Sequence, residues 1–424
     1  MSIFSILDYG AKPGETLNTD YIQKAIDTCS QNGGTVLIPP GTYLTGTLYL
    51  RSYVTLKLEQ GAVLKGSPNI DDYATDTHYN RYDNEPFMDR CLIYAEDSER
   101  IGINGPGEIN GNGEAFYDPN DPYVVHPKLI RFLRCKDISL KGLYIRMPAG
   151  WSTAFIECER VFAEGIDIQS KHSNGDGLDF DSCNDVLVTN CRFDTSDDSI
   201  CLQNSVPNSV CRNIVVSNCL MKSKWAAIRI GLMSVGDIED VAISNCVFHD
   251  ISCSGFKIQA TESGSLRNMR FHNIVMRNVV RPLFLTANYF HITKGALDKK
   301  SNRYAIENLS FNGISVEYDD SFPFDPAAGI ILMGTPERPM KDIRLSDIRM
   351  IAPGGCEDID AVNWQVTELT NQRPEYFAFH HVPSWGIYAR HLHGLEMSQI
   401  RLDRMKNDTR KSIVLEDVEI TNQH

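Results

Sequence analysis

The chain has 424 residues, of which 42% are hydrophobic and 23% are charged, and its formal net charge at pH 7 is −14. This composition predicts a globular protein with ample material for a hydrophobic core. The negative balance argues against a nucleic-acid partner and against binding to an anionic membrane. It does not exclude an acidic ligand, because basic side chains at a cleft override the net sign locally.

The beginning of the chain lacks the marks of a secretory signal. No basic region followed by an apolar stretch precedes Asp8-Tyr9-Gly10, which already reads as folded protein. No apolar run approaches the ~20 residues that cross a membrane. None of the twelve cysteines forms a C-x-x-C pair, which disfavours zinc and favours free thiols in the core of a protein in a reducing cytoplasm. We therefore expect a cytoplasmic protein.

An amphipathic helix is predicted near the N-terminus, over residues 20–31. Asp20 stands at the expected N-cap, and Gln23 follows three residues later, as in a capping box. The apolar residues of this segment share one face: Ile22, Ala25 and Ile26. We expect this face to cover the open edge of the first β-structure, which would otherwise invite aggregation.

A degenerate repeat dominates the chain from residue 135 onwards. Its copies recur at intervals of 23 to 40 residues, and several continue into apolar stretches that suit buried strands. The copies are Cys135-Lys-Asp-Ile138, Cys158-Glu-Arg-Val161, Cys183-Asn-Asp-Val186, Cys211-Arg-Asn-Ile214, Ile238-Glu-Asp-Val241, Leu266-Arg-Asn-Met269, Ile306-Glu-Asn-Leu309 and Met340-Lys-Asp-Ile343.

Short strands at such a period, without helices between them, predict an all-β parallel β-helix, a solenoid whose coils bury their inward residues by stacking. We expect one domain over residues 1–424. Residues 1–50 would form the N-terminal cap and first coil, and residues 400–424 the closing segment. Four asparagines at matching repeat positions should bond to one another along the stack: Asn190, Asn218, Asn245 and Asn273.

Alternating apolar residues align four consecutive coils. The residues expected to point inward are Leu178 and Phe180, Ile200 and Leu202, Ile228 and Ile230, and Phe256 and Ile258. The alignment then defines columns of neighbours. The first column contains Asp176, Asp198, Ala226 and Ser254, and the column before it contains Gly175, Asp197, Trp225 and Cys253. One outward column contains Asp179, Cys201, Arg229 and Lys257, and the other contains Asp181, Gln203, Gly231 and Gln259.

Three carboxylates meet in this alignment, because stacked coils lie about 4.7–4.9 Å apart. Asp176, Asp197 and Asp198 cannot all ionise without penalty at such distances, so at least one pKa should rise. A protonated acid beside ionised carboxylates is the arrangement that cleaves glycosidic bonds. Trp225 would lie beside them, where it could stack on a sugar or belong to the core, and Arg229 and Lys257 would form a basic strip.

Two other interpretations of these residues stay open. Asp and Asn are common in turns because they tolerate left-handed backbone and cap backbone groups. Clustered carboxylate oxygens also suit a calcium ion. Histidines offer a weaker metal hypothesis, since His380-His381 and the pair His391 and His393 have no acidic or cysteine partners at ligand-like spacing. We therefore expect no metal and no other cofactor.

The motif Asn174-Gly-Asp-Gly-Leu-Asp-Phe-Asp-Ser182, followed by Asp194-Thr-Ser-Asp-Asp-Ser-Ile200, resembles glycoside hydrolase family 28, the polygalacturonases. Further segments share the likeness up to about residue 275: Leu7-Asp-Tyr-Gly-Ala11, Pro39-Pro-Gly-Thr-Tyr43, Gly107-Glu-Ile-Asn-Gly-Asn-Gly113 and Ala149-Gly-Trp151. The resemblance implies a single-stranded, right-handed parallel β-helix that hydrolyses pectic α-glycosidic bonds with inversion and without metal.

The resemblance also implies site roles. By motif position Asp197 would be the general acid, Asp176 and Asp198 would activate the attacking water, and Asn174 would position substrate or a carboxylate. Three departures from the family pattern concern the substrate. Ala226 replaces the family histidine in Trp225-Ala-Ala227, and Gln259 and Gln203 stand where family lysines are found. Arg229 and Lys257 would replace part of the lost charge.

The resulting prediction is an inverting glycoside hydrolase of galacturonan-type or rhamnogalacturonan-type oligosaccharides, acting from chain ends. Rhamnogalacturonan-cleaving members also lack the histidine, so a mixed substrate fits. One alternative is a polysaccharide lyase on the same scaffold, which would need calcium and a basic proton acceptor. A second is a non-catalytic carbohydrate-binding solenoid, which the departures at Ala226 and Gln259 leave open. The sequence makes no prediction about oligomeric state.

Overall fold

The computed structural model describes residues 2–77, 81–82, 89–118, 120, 124–293, 304–322, 325, 329–379 and 381–421. The chain forms two compact units, residues 1–197 and residues 198–424, and each is described by itself. The prediction of one domain over residues 1–424 stays a prediction.

The predicted N-terminal helix is present as α1, Thr19–Ser30, and it buries Ile22, Ala25 and Ile26 as expected. The predicted N-cap is wrong, because the cap position falls on Asn18, whose side chain makes no cap hydrogen bond. Its amide instead bonds the backbone of Lys12 and thereby fixes the loop before the helix. Gln23, the expected capping-box partner, exchanges hydrogen bonds of 2.8 and 3.0 Å with the backbone of Tyr49. The helix is thus tied to the first coils of the sheet.

Unit 1 is built of coils with three short strands each. The strands of successive coils pair in parallel and in register, so three parallel sheets run along the unit. Its strands are β1 (Ser2–Ser5), β2 (Gly14–Leu17), β3 (Gly34–Ile38), β4 (Gly41–Thr45), β5 (Leu48–Tyr49), β6 (Val54–Leu58), β7 (Ala62–Gly66), β8 (Cys91–Glu96), β9 (Glu99–Asn104), β10 (Glu108–Asn110), β11 (Lys128–Leu133), β12 (Lys136–Lys141), β13 (Tyr144–Arg146), β14 (Thr153–Ile156), β15 (Glu159–Glu164), β16 (Asp167–Gln169), β17 (Leu178–Asp181), β18 (Asn184–Thr189) and β19 (Arg192–Thr195).

Unit 2 continues the same pattern with longer strands that run through the corners of the coils. Its strands are β20 (Ile200–Asn204), β21 (Val210–Ser217), β22 (Leu220–Ser223), β23 (Ala226–Ser234), β24 (Asp237–Ala260), β25 (Leu266–Ala287), β26 (Ile306–Glu317), β27 (Ile330–Met333), β28 (Met340–Ala352), β29 (Ser384–Arg404) and β30 (Lys411–Ile420). Short 3₁₀ helices span Ile6–Tyr9, Ile70–Asp72, Gly113–Phe116, Ile359–Asn363 and Tyr376–Phe379.

The strand pairings that the structure describes are all parallel, and they confirm the predicted all-β fold, a right-handed parallel β-helix with an N-terminal helix. The residues expected to point inward are completely buried: Leu178, Phe180, Ile200, Leu202, Ile228, Ile230, Phe256 and Ile258. Aromatic rings stack between coils, with the ring centroids of Phe155 and Phe180 4.9 Å apart. All twelve cysteines are buried free thiols, as predicted.

The predicted bonding between turn asparagines is confirmed for Asn245 and Asn273, and for Asn190 and Asn218 it stays a prediction. The side-chain amide of Asn273 donates to the side-chain oxygen of Asn245 over 2.7 Å, and both residues have left-handed backbone, with φ of 55° and 57°. Asparagine adopts this conformation more readily than most residues, which explains its recurrence at the corner. In the described part of the chain no helix has the length and apolar character needed to span a membrane.

Candidate active site

Two of the predicted acids lie close together in unit 1. A carboxylate oxygen of Asp176 lies within 4.8 Å of one of Asp197. Asp176 is 5% exposed and Asp197 is half-buried. Backbone contacts place both residues: the N–H of Ser152 donates to the carbonyl of Asp176 over 3.0 Å, and the Thr195 hydroxyl donates to the carbonyl of Asp197 over 2.7 Å. The coil repeat therefore brings these two acids together, as the sequence predicted.

The turn before Asp176 is held by serine hydroxyls. Ser170 Oγ accepts from the N–H of Ser196 over 3.0 Å and donates to the carbonyl of Gly175. A Cβ atom at Gly175 would lie 2.3 Å from Ser196 Oγ, so the position requires glycine. Asn174 is exposed and has left-handed backbone, with φ of 53°. This places Asn174 at the surface next to Asp176, where a substrate could reach it.

Asp198, the residue after Asp197 in the chain, belongs to unit 2 and is completely buried. Its Oδ2 lies 2.9 Å from Nη1 of Arg229, and its Oδ1 accepts the backbone N–H of Ala226 over 3.2 Å. A guanidinium and a backbone N–H are the partners that an ionised carboxylate takes. At position 226, where the resembled family has histidine, the main chain thus supplies a contact to the acid.

The strand register of unit 2 confirms part of the predicted columns. Cys201 pairs with Arg229, and Arg229 with Lys257, as expected. Ala226 also pairs with Ser254, and Gly231 with Gln259. The predicted pairing of Gln203 with Gly231 is wrong, because the register shifts after Leu202 and Asn204 pairs with Ser234. Strand β23 therefore carries extra residues opposite Gln203, which the alternating pattern alone did not reveal.

Lys257 is completely buried and paired with a residue that the sequence analysis missed. Its Nζ donates to Oε2 of Glu375 over 2.5 Å and lies 4.8 Å from the ring centroid of the half-buried Trp225. Burial alone would raise the pKa of Glu375, but the charges of Lys257, Arg373 and Arg229 outweigh it and hold this pKa below its usual range. No sequence signal pointed to Glu375, since it lies 118 residues from Lys257 outside any repeat.

Two glutamines occupy positions where the resembled family has lysines, and both are buried. The side-chain amide of Gln259 donates to the carbonyl of Pro374 over 2.6 Å. The side-chain oxygens of Gln203 and Gln259 have no hydrogen-bond donor among the described residues. Buried polar atoms without partners require an explanation such as a bound water or ligand.

The contacts bear on the calcium and histidine hypotheses. Calcium takes about six to eight oxygen ligands, whereas one oxygen of Asp198 is already bonded to the cationic group of Arg229. The ring nitrogens of His391 bond to Asp417 over 2.6 Å and to Glu368 over 2.9 Å. His391 therefore has a structural environment of carboxylates, and His380 lies outside the described residues. The absence of a metal stays a prediction.

Three comparisons with known proteins identify relatives of this chain. It is 27% identical over 387 residues to an exo-poly-alpha-D-galacturonosidase of Dickeya chrysanthemi, a match that covers 77% of this chain and 64% of that relative, less than two thirds of its length. The structure of the family 28 exopolygalacturonase of Yersinia enterocolitica aligns with a TM-score of 0.77 and 22% identity, covering 99% of this chain and 78% of the other.

An exopolygalacturonase of Thermotoga maritima aligns with a TM-score of 0.66 and 22% identity, covering 82% of this chain and 87% of that one. At these identities, the two structural likenesses establish the fold. The sequence comparison reaches further, because the model of the glycosyl hydrolases family 28 matches residues 29–371. This range is most of the chain, and the protein belongs to that family.

Proposed function

We propose that the protein is a glycoside hydrolase that cleaves α-glycosidic bonds of pectin-derived oligosaccharides, of galacturonan or rhamnogalacturonan type, from chain ends. The observation that carries the proposal is the pair of solvent-reachable carboxylates, Asp176 and Asp197, within 4.8 Å in a member of this family. Action from chain ends is supported by relatives whose names describe exo-acting enzymes on polygalacturonate.

The proposed reaction is hydrolysis in one displacement. Asp197, the most exposed of the three acids, donates its proton to the glycosidic oxygen as the bond from that oxygen to the anomeric carbon breaks. Asp176 and Asp198 take a proton from a water whose oxygen forms the new bond to the anomeric carbon. Of these two, only Asp176 retains exposed surface. Water therefore reaches Asp176 directly, and the charge of the buried Asp198 is balanced by Arg229.

Inversion at the anomeric carbon is the finer part of the proposal and rests on the family resemblance. Carboxyl groups about 6.5–9.5 Å apart are typical of inverting glycosidases, and about 5–5.5 Å of retaining ones. The value of 4.8 Å is an upper limit on the distance between one oxygen of Asp176 and one oxygen of Asp197, and it does not give the separation of the two carboxyl groups. The anomer first released from an α-linked substrate, which is β after inversion and α after retention, therefore decides this point.

The substrate is proposed from polar and aromatic groups of each unit. Asn174 is exposed beside Asp176, and Trp225 is half-buried, which suits stacking on a sugar ring. Gln203 and Gln259 are buried and neutral where charged lysines would favour galacturonate. Arg229 and Lys257 carry the expected positive charge, but Arg229 is bonded to Asp198, and Lys257 to Glu375. This balance of neutral and paired groups supports a site that accepts a neutral sugar beside an acidic one.

Product analysis tests the function directly. The full chain is incubated with defined homogalacturonan and rhamnogalacturonan oligomers, and the products and their anomeric configuration are followed by NMR. We expect release of single residues from chain ends as the β-anomer, without added calcium. Release of the α-anomer would refute inversion, and cuts within long oligomers would refute action from chain ends.

The two rival functions predict different results in the same experiment. A lyase would require calcium and give an unsaturated product that absorbs in the ultraviolet. A non-catalytic binding protein would bind the oligomers without turnover. The replacement of the family histidine by Ala226 leaves this rival function open. Either result would overturn the proposed hydrolysis.

A further inference from the structure

Residues 373–375, here called the site strap, lie against Lys257 and Gln259 of unit 2 although they follow the end of the family match at residue 371. Two completely buried side chains of the coil hold the strap in place. The Gln259 amide donates to the carbonyl of Pro374 over 2.6 Å, and Lys257 Nζ donates to Glu375 Oε2 over 2.5 Å. One anchor of the strap, Gln259, is a position at which the sequence departs from its family. The other anchor, Lys257, belongs to the expected basic strip.

Three described cations meet around the strap, and they differ in what they have left to bind. Arg229 is bonded to Asp198 and is 8% exposed. Lys257 is bonded to Glu375 and has no exposed surface. Arg373 bonds the other oxygen of Glu375 through Nε over 2.7 Å, and its side chain remains 39% exposed. The carboxylates of Asp198 and Glu375 therefore balance two of the three positive charges, and the remaining charge is carried at the surface by Arg373.

The free edge of Arg373 has the geometry of an anion-binding group. Within the part of the chain that the structure describes, its hydrogen bonding to side chains runs through Nε alone, so the two terminal nitrogens make none. Those nitrogens can donate in parallel to both oxygens of one carboxylate, which a lysine cannot do. Glu375 fixes the orientation of the guanidinium, because its second oxygen is held by the buried Lys257.

Building on the proposed function, we propose that Arg373 binds the carboxylate of a galacturonate residue of the substrate, and that the site strap is the device that brings it there. The neutral Gln259 serves this arrangement, because its amide donates to the strap carbonyl where a lysine would add a second buried cation beside Lys257. Recognition of the acidic sugar has thus moved from the coil to the strap.

The test compares Arg373→Gln with the wild type on trigalacturonate and on its methyl ester, which lacks the negative charges. Loss of a charge-assisted, two-pronged hydrogen bond should raise KM for trigalacturonate by about ten- to a hundredfold, with kcat within about threefold. KM for the ester should not change, and Arg373→Lys should recover part of the loss. Arg344→Gln is the matched control, since Arg344 also bonds a glutamate, Glu396, on the exposed sheet surface.

The outcomes separate this inference from the proposed function. If the wild type cleaves trigalacturonate and Arg373→Gln behaves like Arg344→Gln, the role of Arg373 is overturned and the hydrolase stands. If the wild type cleaves nothing, the proposed function fails, and calorimetric binding of trigalacturonate to the same variants tests Arg373 without turnover. A Kd weakened about tenfold or more by Arg373→Gln alone supports the inference, and an unchanged Kd overturns it.

Discussion

Replacing Glu375 by Gln leaves the Lys257 ammonium buried without a carboxylate partner. The substitution keeps the size of the side chain and removes only its charge, while Lys257 has no exposed surface and the Glu375 side chain only 4%. Breaking a buried ion pair by removing one partner costs about 3–5 kcal/mol. With an unfolding entropy of about 2.1 cal/mol/K per residue, a chain of this length loses about 1 °C of Tm per kcal/mol. We therefore expect Glu375→Gln to lower Tm by about 3–6 °C.

Thermal unfolding of three variants, followed by circular dichroism, checks this expectation. Glu396→Gln is the control, because its partner Arg344 is 57% exposed and exposed pairs contribute about 0–1 kcal/mol. The double variant Glu375→Gln with Lys257→Met should recover much of the loss, since neither charge then remains buried. If Glu375→Gln melts together with Glu396→Gln, the buried pair does not hold the strap, and the reasoning about its charge is refuted.

Three further predictions concern stability. Cationic neighbours outweigh burial and lower the pKa of Glu375 in the folded protein. Ionised Glu375 therefore stabilises the fold fully above about pH 4.3, the pKa of an unfolded glutamate, and this stabilisation is lost as pH falls through the lower pKa of the folded state. A Tm that does not fall faster in the wild type than in Glu375→Gln below about pH 4 would contradict this. Arg229→Gln leaves Asp198 buried and unpaired, so urea unfolding should show a loss of about 3–5 kcal/mol, and an unchanged midpoint would contradict the pairing. Phe180→Ala removes a completely buried ring stacked on Phe155 and should cost about 3–5 kcal/mol in the same assay; a loss below about 1 kcal/mol would refute its place in the core.

Much of the coil structure could be predicted from the sequence because the β-helix makes each local pattern repeat. Alternation of apolar residues assigns Phe180 and Ile258 to the interior, and equal spacing between copies assigns Arg229 and Lys257 to one column. The prediction is wrong where the period changes, as at Gln203, opposite which strand β23 carries extra residues. A repeat fixes neighbours only as long as successive coils have the same number of residues.

Contacts outside the repeat could not be predicted in the same way. Glu375 reaches Lys257 from a segment without periodicity, and no local pattern indicates which buried charge it will meet. The helix cap illustrates the same limit on a smaller scale. Asp20 and Gln23 have the spacing of a capping box, but Gln23 bonds the backbone of Tyr49 and Asn18 bonds that of Lys12. Tertiary partners therefore outcompete a local motif when they offer equivalent hydrogen bonds.

The catalytic rate of Asp197→Asn on a substrate that the wild type cleaves tests the proposed chemistry most directly. Asp194→Asn, in strand β19 just before Asp197, is the control, because Asp194 has no role in the proposed reaction, and circular dichroism establishes that both variants fold. We expect kcat to fall by about 10²–10⁴-fold for Asp197→Asn, the usual contribution of a general acid, and to stay near wild type for Asp194→Asn. A folded Asp197→Asn variant with near-normal kcat would contradict the assignment of the acid and, with it, the proposed mechanism.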